Sequence, residues 1–187
     1  MINNGTHQCG ASLVAPNVVL SSAHCYNSET DIVTLGMYKM KLGPGEAAEF
    51  YNIEHIPIAE TIMHPNYNDD TTNNDYWMIR LQWASTLYSG NAIALDSLTD
   101  DLLLGSTSGR ALVVMGFDRL ASGGSTPNTM QKVVVNYVSN EECVSPNTEY
   151  DPSDITSAML CAAFPGKDSC QVSCCPHLML IKSNRST

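Results

Sequence analysis

The chain has 187 residues, a formal net charge of −10, and 43% hydrophobic against 15% charged residues. This length and apolar content suffice for one domain, or for two small units that share a core, and they exclude a largely disordered protein. The excess of carboxylates repels nucleic acid and anionic membrane surfaces, and no apolar run reaches the roughly 18 residues that span a membrane. We therefore expect neither a nucleic-acid partner nor a membrane partner.

Cysteine usage indicates an oxidising compartment. Seven cysteines in so short a chain are typical of extracytoplasmic proteins, and their odd number leaves at least one without an intrachain partner. Two short glycosylation motifs, Asn4-Gly5-Thr6 and Asn184-Arg185-Ser186, fit secretion. The segment Met1–His7 has neither the basic start nor the apolar stretch of a signal peptide, so we expect the chain to be incomplete.

Taken in chain order, the sequence predicts strands and turns rather than helices. Short apolar or β-branched runs lie at Ser12–Leu20, Ile32–Leu35, Glu54–Ile62, Tyr76–Leu81, Arg110–Gly116 and Met130–Val138. Turn-forming residues separate them at Pro16-Asn17, Gly43–Gly45, Asn66–Asn74 and Ala121–Asn128. Many short strands with frequent turns are typical of an all-β barrel or sandwich.

Two segments depart from this pattern. Residues 96–110 are polar and carry no strand pattern, so we interpret them as a connector between two β units. A short helix is predicted at Ser139–Cys143, where Ser139 or Asn140 can cap the helix and two glutamates occupy its first turn.

Three clusters of residues contain side chains that are candidates for a catalytic or binding role. His24 directly precedes Cys25, where a disulfide would fix its backbone as a general base requires. Asp75 lies at the start of an apolar strand. The simpler interpretation of Asp75 is a residue that caps the strand or lies in a solvated turn. The third cluster, Met159–Gln171, contains Asp168.

Together these clusters resemble the trypsin-like, or chymotrypsin-type, serine endopeptidases. The segments that carry the resemblance follow the family's order: His7–Leu13 (H-x-C-G-G-S-L), Ser22–Cys25 (T-A-A-H-C), Ile62–Tyr67 (I-x-H-P-x-Y), Asn73–Leu81 (N-N-D-I-A-L-I-K-L), Val114–Phe117 (V-x-G-W), Gln131–Cys143 (L-Q-x-V-x-V…C) and Met159–Gln171 (M-L-C-A-G…D-S-C-Q). Within them, Trp77 stands where the family usually has alanine.

The resemblance implies an architecture of two antiparallel Greek-key β-barrels, at about residues 1–97 and 108–187. Both would belong to one partial peptidase domain, 1–187, truncated at both ends and with the second barrel incomplete. It also implies two disulfides, Cys9–Cys25 and Cys143–Cys161.

The same resemblance assigns residue roles. His24 is implied as the general base and then general acid, and Asp75 as the carboxylate that orients it. Asp168 occupies the position at the floor of the primary specificity pocket, where a carboxylate selects Arg or Lys before the cleaved bond. The simpler interpretation of Asp168 is a loop residue without a ligand.

The resemblance ends after Gln171, where the family continues G-D-S-G-G-P and this chain continues Val172–His177 (V-S-C-C-P-H). In an ungapped register, Cys174 takes the place of the nucleophile and Val172 that of the oxyanion-hole glycine. With one residue deleted, Ser173 is the nucleophile. Neither register restores the site. In the first, Ser173 replaces the aspartate, and a valine at the glycine position hinders the backbone geometry that the oxyanion amides need. In the second, cysteines replace the glycines and the aspartate is absent.

The expected function is therefore a secreted, monomeric serine endopeptidase that acts on proteins or peptides after Arg or Lys without cofactor or metal, and that is inactive as the sequence stands. The alternative is a catalytically dead protease homologue that acts as a binding protein. A metal cluster at Cys170, Cys174, Cys175 and His177 is a weaker alternative, because the spacing lacks a second C-x-x-C pair.

Overall fold

The computed structural model describes residues 2–3, 6–7, 9–41, 52–88, 108–117, 125–144, 146 and 150–163. In this part of the chain, ten strands form two antiparallel sheets, and helical structure is confined to two single turns. None of the described helices is long and apolar enough to cross a membrane.

The larger sheet is curled and has seven strands. They are β1 (Ile2–Asn3), β2 (Thr6–His7), β3 (Ser12–Ala15), β4 (Val18–Ser21), β5 (Ile32–Leu35), β6 (Glu54–Met63) and β7 (Trp77–Leu81), in the spatial order β2-β1-β5-β6-β7-β4-β3. All neighbouring strands in this order are antiparallel.

Strand β6 lets this sheet curl. Its first residues, Glu54–Pro57, pair with β5, and its remaining residues pair with β7. The register of the β6–β7 pair shifts between Ile58 and Glu60, and such a bulge bends a strand and increases its twist. One long strand thereby serves both halves of the sheet.

The core of the larger sheet follows from alternation along its strands. In β7, Trp77, Ile79 and Leu81 are buried while Met78 and Arg80 face outward, as the two-residue period of a strand requires. The buried cluster consists of Cys9, Val19, Ala23, Cys25, Val33, Ile56, Trp77, Ile79 and Leu81. The sheet therefore closes over one apolar interior, with the Cys9–Cys25 pair inside it.

The smaller sheet has the strands β8 (Ala111–Gly116), β9 (Gln131–Val138) and β10 (Cys161–Ala163), in the order β10-β9-β8. Its buried residues are Leu112, Val135 and Tyr137. The helix α1 (Asn140–Cys143) follows β9, and the Ser139 side chain caps it by accepting a hydrogen bond from the Glu142 backbone at 3.2 Å.

The two sheets meet through loop backbone. A bridge pairs Lys39 with Thr129, and the amides of Met40 and Met130 donate to the carbonyls of Asn128 and Tyr38 at 2.8 and 2.9 Å. These contacts join the segment after β5 to the segment before β9.

The all-β prediction is confirmed. A curled antiparallel half-barrel and a smaller second sheet fit a trypsin-like double barrel, with three strands representing the second barrel in the described part. The predicted strand boundaries agree to within about one residue, except that Ser12–Leu20 is a hairpin of β3 and β4 that turns at Pro16-Asn17. The proposed barrel boundary at residues 97–108 and the turn Gly43–Gly45 lie outside the described residues, apart from residue 108 itself.

Candidate active site

His24 lies in a 3₁₀ turn, Ala23–Cys25, directly after β4. The turn is closed by hydrogen bonds from the Cys25 amide to the Ser22 carbonyl (3.1 Å) and from the Tyr26 amide to the Ala23 carbonyl (2.9 Å). The Cys9–Cys25 disulfide, with its Cα atoms 6.1 Å apart, fixes the turn to the chain before β3. The backbone of His24 is thus constrained on both sides.

Asp75 lies two residues before the start of β7, at the end of the turn that follows β6. Thr72 and Asn74 adopt left-handed backbone conformations, with φ of 52° and 57°, and asparagine tolerates this region better than most residues. The Asn74 side chain donates to the Asn66 carbonyl at 3.0 Å, which closes the turn. This reversal of chain direction places Asp75 in the interior of the sheet, where it is 1% exposed.

The structure brings His24 and Asp75 together. Nδ1 of His24 lies 2.7 Å from Oδ2 of Asp75, and the backbone amide of His24 donates to Oδ1 at 2.8 Å. Both carboxylate oxygens thus hold the same residue, which fixes the position and the orientation of the imidazole. With Nδ1–H donating to Asp75, the neutral ring carries its lone pair on Nε2.

The buried carboxylate also affects two neighbouring tyrosines. Burial raises the pKa of Tyr67 to about 12, helped by its hydrogen bond to Asp69 and by the charges of Asp69 and Asp75. Burial and the Asp75 charge likewise raise the pKa of Tyr76. Both phenols are therefore neutral hydrogen-bond donors near neutral pH.

Contacts from the second sheet support the Asp75 segment. The Tyr76 hydroxyl donates to the Ala158 carbonyl at 3.0 Å, and the Thr156 hydroxyl donates to Oδ1 of Asn73 at 2.7 Å. Asn73 and Tyr76 lie on either side of Asp75 in the chain, so the acidic residue is held between two anchors to the segment that leads into β10. The sequence pattern did not identify these contacts, because Thr156 and Ala158 belong to none of the quoted motifs.

The second ring nitrogen of His24, Nε2, lies near a sulfur atom of the disulfide. Nε2 of His24 lies 3.4 Å from Sγ of Cys25, and the His24 side chain is 24% exposed. Cys9, His24 and Cys25 are the one group of three potential metal ligands in the described ranges, and both sulfurs are engaged in the disulfide.

The second predicted disulfide, Cys143–Cys161, is also present, with its Cα atoms 6.3 Å apart. It ties the end of α1 to the start of β10. Both predicted pairings are thereby confirmed. The remaining predicted site residues lie outside the described residues: Asp168, Cys170, Ser173, Cys174, Cys175 and His177.

Comparison with known proteins agrees with this geometry. The family model named Trypsin matches residues 1–172, so its match stops close to the point where the motif departs from G-D-S-G-G-P. Trypsin I-P1 of Gallus gallus is 35% identical over 174 residues, and the trypsin of Sus scrofa is 35% identical over 173 residues. Trypsin-3 of Salmo salar is 34% identical over 174 residues.

The structure combines an all-β fold with a buried aspartate that is hydrogen-bonded to a histidine beside a disulfide. This combination is typical of the trypsin-like serine proteases. The chain belongs to the trypsin family. The alignments cover 91% of this chain, and the chain spans 63% of the length of the chicken relative, 68% of the porcine one and 66% of the salmon one.

Proposed function

We propose that the protein is a serine endopeptidase whose general base is His24, positioned by Asp75. The observation that carries the proposal is the pair of contacts from Asp75 to the ring and to the backbone of the same histidine. A buried carboxylate on Nδ1 keeps the lone pair on Nε2 and stabilises the imidazolium that forms when Nε2 takes a proton. Membership of the trypsin family supports the same reaction.

In the proposed reaction, Nε2 of His24 accepts the proton of the nucleophile as the nucleophile attacks the peptide carbonyl. The same proton then passes from Nε2 to the leaving amine, and a second cycle with water frees the acyl group. Asp75 remains ionised throughout and acts by orientation and charge. Neither residue requires a cofactor or a metal for these steps.

The nucleophile is proposed from the sequence alone as Ser173, with Cys174 as its competitor in the ungapped register. Because the glycines and the aspartate of G-D-S-G-G-P are replaced in V-S-C-C-P-H, we propose that this 187-residue chain has little or no turnover. Loss of one oxyanion donor alone lowers such rates by about 10²–10³.

Substrate and location follow from the family. We propose cleavage after Arg or Lys, because Asp168 lies in the D-S-C-Q motif where a carboxylate would bind a basic side chain. We also propose that the protein is secreted and monomeric, with barrels at about residues 1–97 and 108–187. The two disulfides fit an oxidising compartment.

The test compares this chain with a chimera in which residues 1–171 are followed by G-D-S-G-G-P and the rest of porcine trypsin, and are preceded by its amino-terminal part. The chimera, in mature form, should cleave a lysine peptide ester and lose at least about 10³-fold in turnover with His24→Ala. Asp168→Ser should remove the preference for basic residues. A chimera that folds and still shows no His24-dependent cleavage would refute the role of His24.

For the chain as it stands, we expect no labelling of Ser173 by a fluorophosphonate and no cleavage of the ester. Ser173→Ala and Cys174→Ala are the matched controls for any signal. Robust turnover that either variant abolishes would identify the nucleophile and contradict the proposed inactivity.

The altered segment specifically favours a second function, that of a protease homologue that binds proteins without cutting them. This function predicts that the chain binds a basic peptide or a trypsin inhibitor with unchanged affinity after His24→Ala. The variant His24→Ala therefore distinguishes the two functions, because it should abolish cleavage and leave binding unchanged.

A further inference from the structure

Three metal-ligating side chains meet at the turn that follows β4. The donor atoms of Cys9, His24 and Cys25 all lie within 4.8 Å of one another. Nε2 of His24 is 3.4 Å from Sγ of Cys25. A nitrogen and a sulfur bound to one tetrahedral zinc, at about 2.0 and 2.3 Å from it, are themselves about 3.5 Å apart. The nitrogen and sulfur therefore already have the spacing of two ligands of one ion.

The histidine is also oriented as a ligand. Asp75 accepts the Nδ1–H at 2.7 Å, which leaves the lone pair of the neutral ring on Nε2, the atom that lies 3.4 Å from Sγ of Cys25. A carboxylate on the far nitrogen of a histidine is the usual outer-shell partner of zinc-bound imidazole, where it fixes the tautomer and increases ligand basicity. Asp75 can thus orient Nε2 of His24 for binding a metal ion as well as for accepting a proton.

Contacts other than the disulfide also hold together the segments that carry the two cysteines. The Ser21 hydroxyl donates to the Gly10 carbonyl at 2.9 Å, and β3 pairs with β4 between them. The Cys25 amide is held separately by Ser22 in the 3₁₀ turn. Both cysteines belong to the buried core of the larger sheet.

We propose that reduction of the Cys9–Cys25 disulfide converts this turn into a zinc site with the ligand set Cys9, Cys25 and His24. A dithiol supplies two electrons and two protons, becomes a disulfide itself, and leaves two protein thiols. Zn²⁺ then binds both sulfurs as thiolates and Nε2 of His24, releasing two protons to solvent, with water as the fourth ligand. Two thiolates and an imidazole select zinc over calcium or magnesium.

Zinc bound to Nε2 removes the lone pair on which a general base depends. The oxidised protein has no thiolates to offer and is insensitive to zinc at this site. The inference does not rest on the proposed protease activity, because its primary measurement is metal binding.

The test uses the full chain carrying Cys170→Ser, Cys174→Ser, Cys175→Ser and His177→Ala, which removes the other candidate ligands beyond residue 169. This protein is reduced with a phosphine, separated from it under anaerobic conditions, and titrated with Co²⁺ as a spectroscopic substitute for zinc. We expect one Co²⁺ per chain, with intense tetrahedral d–d bands and thiolate charge-transfer absorption that zinc abolishes. The oxidised protein should give neither signal.

Three variants of that protein locate the site. His24→Ala should weaken binding by at least about 10-fold, and Asp75→Asn by about 10- to 100-fold through loss of the outer-shell partner. The double variant Cys143→Ser with Cys161→Ser is the matched control, because no third ligand joins that cysteine pair among the described residues. It should bind Co²⁺ unchanged.

Thermal unfolding gives a second measurement. Zinc should raise the unfolding temperature of the reduced protein, should raise that of reduced His24→Ala by less, and should leave that of the oxidised protein unchanged. Absence of Co²⁺ binding after reduction, including through loss of the fold, would overturn the proposal. Binding that is unchanged in His24→Ala, or abolished in the Cys143 and Cys161 double variant, would overturn it as well.

Discussion

His24 is held in place by constraints of three different kinds. The disulfide at Cys25 fixes the chain after it, the 3₁₀ turn fixes its backbone, and Asp75 binds both its amide and its ring. Asp75 in turn depends on the left-handed conformation of Asn74. The proposed role of His24 as general base needs this redundancy, because a small misplacement of the reacting nitrogen strongly reduces the rate.

Asp75→Asn tests the orientation of the imidazole. The amide keeps the size of the carboxylate but loses its charge, so Nδ1–H of His24 loses its preferred acceptor and the Nε2–H tautomer gains population. Nitrogen NMR of the labelled histidine should show this shift, while His55, which contacts Thr34 instead, stays unchanged. In the active chimera, turnover should fall by about four orders of magnitude, the effect known for this family's Ser-His-Asp triad. An unchanged tautomer ratio would contradict the role assigned to Asp75.

Trp77 replaces the alanine usual in the family, and its surroundings show how the fold accommodates it. The indole is fully buried and meets Tyr26 edge-on, with ring centroids 5.4 Å apart and an interplanar angle of 85°. Its Nε1–H has no hydrogen-bond partner within the described structure. The larger side chain therefore fills core volume while leaving one buried donor unsatisfied.

Substitutions of Trp77 test how much the filled core volume contributes to stability. Trp77→Ala should lower the free energy of unfolding by about 3–5 kcal/mol, because it empties a site in the core. Trp77→Phe should cost much less, since it removes the unpaired donor, whose burial costs about 1–3 kcal/mol, together with only part of the ring. Urea denaturation measures both losses, and a loss for Trp77→Phe as large as that for Trp77→Ala would contradict the stabilising role of the core volume that the ring fills.

At the scale of elements, hydrophobic alternation predicted the longer strands well. β7 and β9 alternate inward and outward residues over enough positions to be recognised. β10 has three residues and β1 has two, which is too short for a period-two pattern, so no run in the sequence predicted them. The hairpin of β3 and β4 was predicted as one run because apolar residues continue on both sides of Pro16-Asn17.

Glu54, the first residue of β6, anchors the segment after β7. Its carboxylate accepts hydrogen bonds from the Ser85 hydroxyl, from the Thr86 hydroxyl and, at 3.0 Å, from the Thr86 amide. Burial alone would raise the pKa of Glu54, but these hydrogen bonds outweigh it and hold the pKa below its usual value of 4.5. The ionised carboxylate is therefore the form that the folded state prefers.

Glu54→Gln should lower stability by about 1–3 kcal/mol near neutral pH, because hydrogen bonds to a charged acceptor are lost or weakened. A lowered folded pKa contributes stability that is complete above the unfolded pKa and disappears as the pH falls through the folded pKa. The wild-type protein and the variant should therefore converge in unfolding temperature under strongly acidic conditions. Glu60→Gln, which breaks an exposed ion pair with Arg80, is the control and should cost at most about 1 kcal/mol. A gap between wild type and Glu54→Gln that persists in acid would contradict the electrostatic cause.

At the scale of the whole molecule, the sequence predicted the site better than the junction around it. His24 and Asp75 each lie in a recognisable motif, and the structure brings their side chains to hydrogen-bond distance. The junction contacts of Asn128 and Thr156 come from loops without periodicity or motif, so only the folded chain places them. The catalytic roles themselves, together with Asp168 and Ser173, remain predictions.

The Asn128 side chain is the most specific link between the two sheets. Its Oδ1 accepts from the Lys41 amide at 2.7 Å, and its Nδ2 donates to the Lys41 carbonyl at 2.9 Å, beside the backbone bridge of Lys39 and Thr129. These two hydrogen bonds between Asn128 and Lys41 extend the pairing of the Lys39–Thr129 bridge by one further position.

Asn128→Ala should remove both bonds and weaken the junction by about 1–3 kcal/mol, given roughly 0.5–1.5 kcal/mol for each intramolecular hydrogen bond. Because the two sheets have separate buried clusters, the loss should appear as local opening rather than global unfolding. Hydrogen exchange should accelerate at the amides of Met40, Lys41 and Met130, and stay unchanged within β7 and β9.

Asn128→Asp keeps the acceptor for the Lys41 amide and should give an intermediate effect. Gln131→Ala, whose side chain donates only within its own segment to the Thr129 carbonyl, is the matched control. Equal acceleration in the strands and at the junction would show instead that the two sheets open as one cooperative unit.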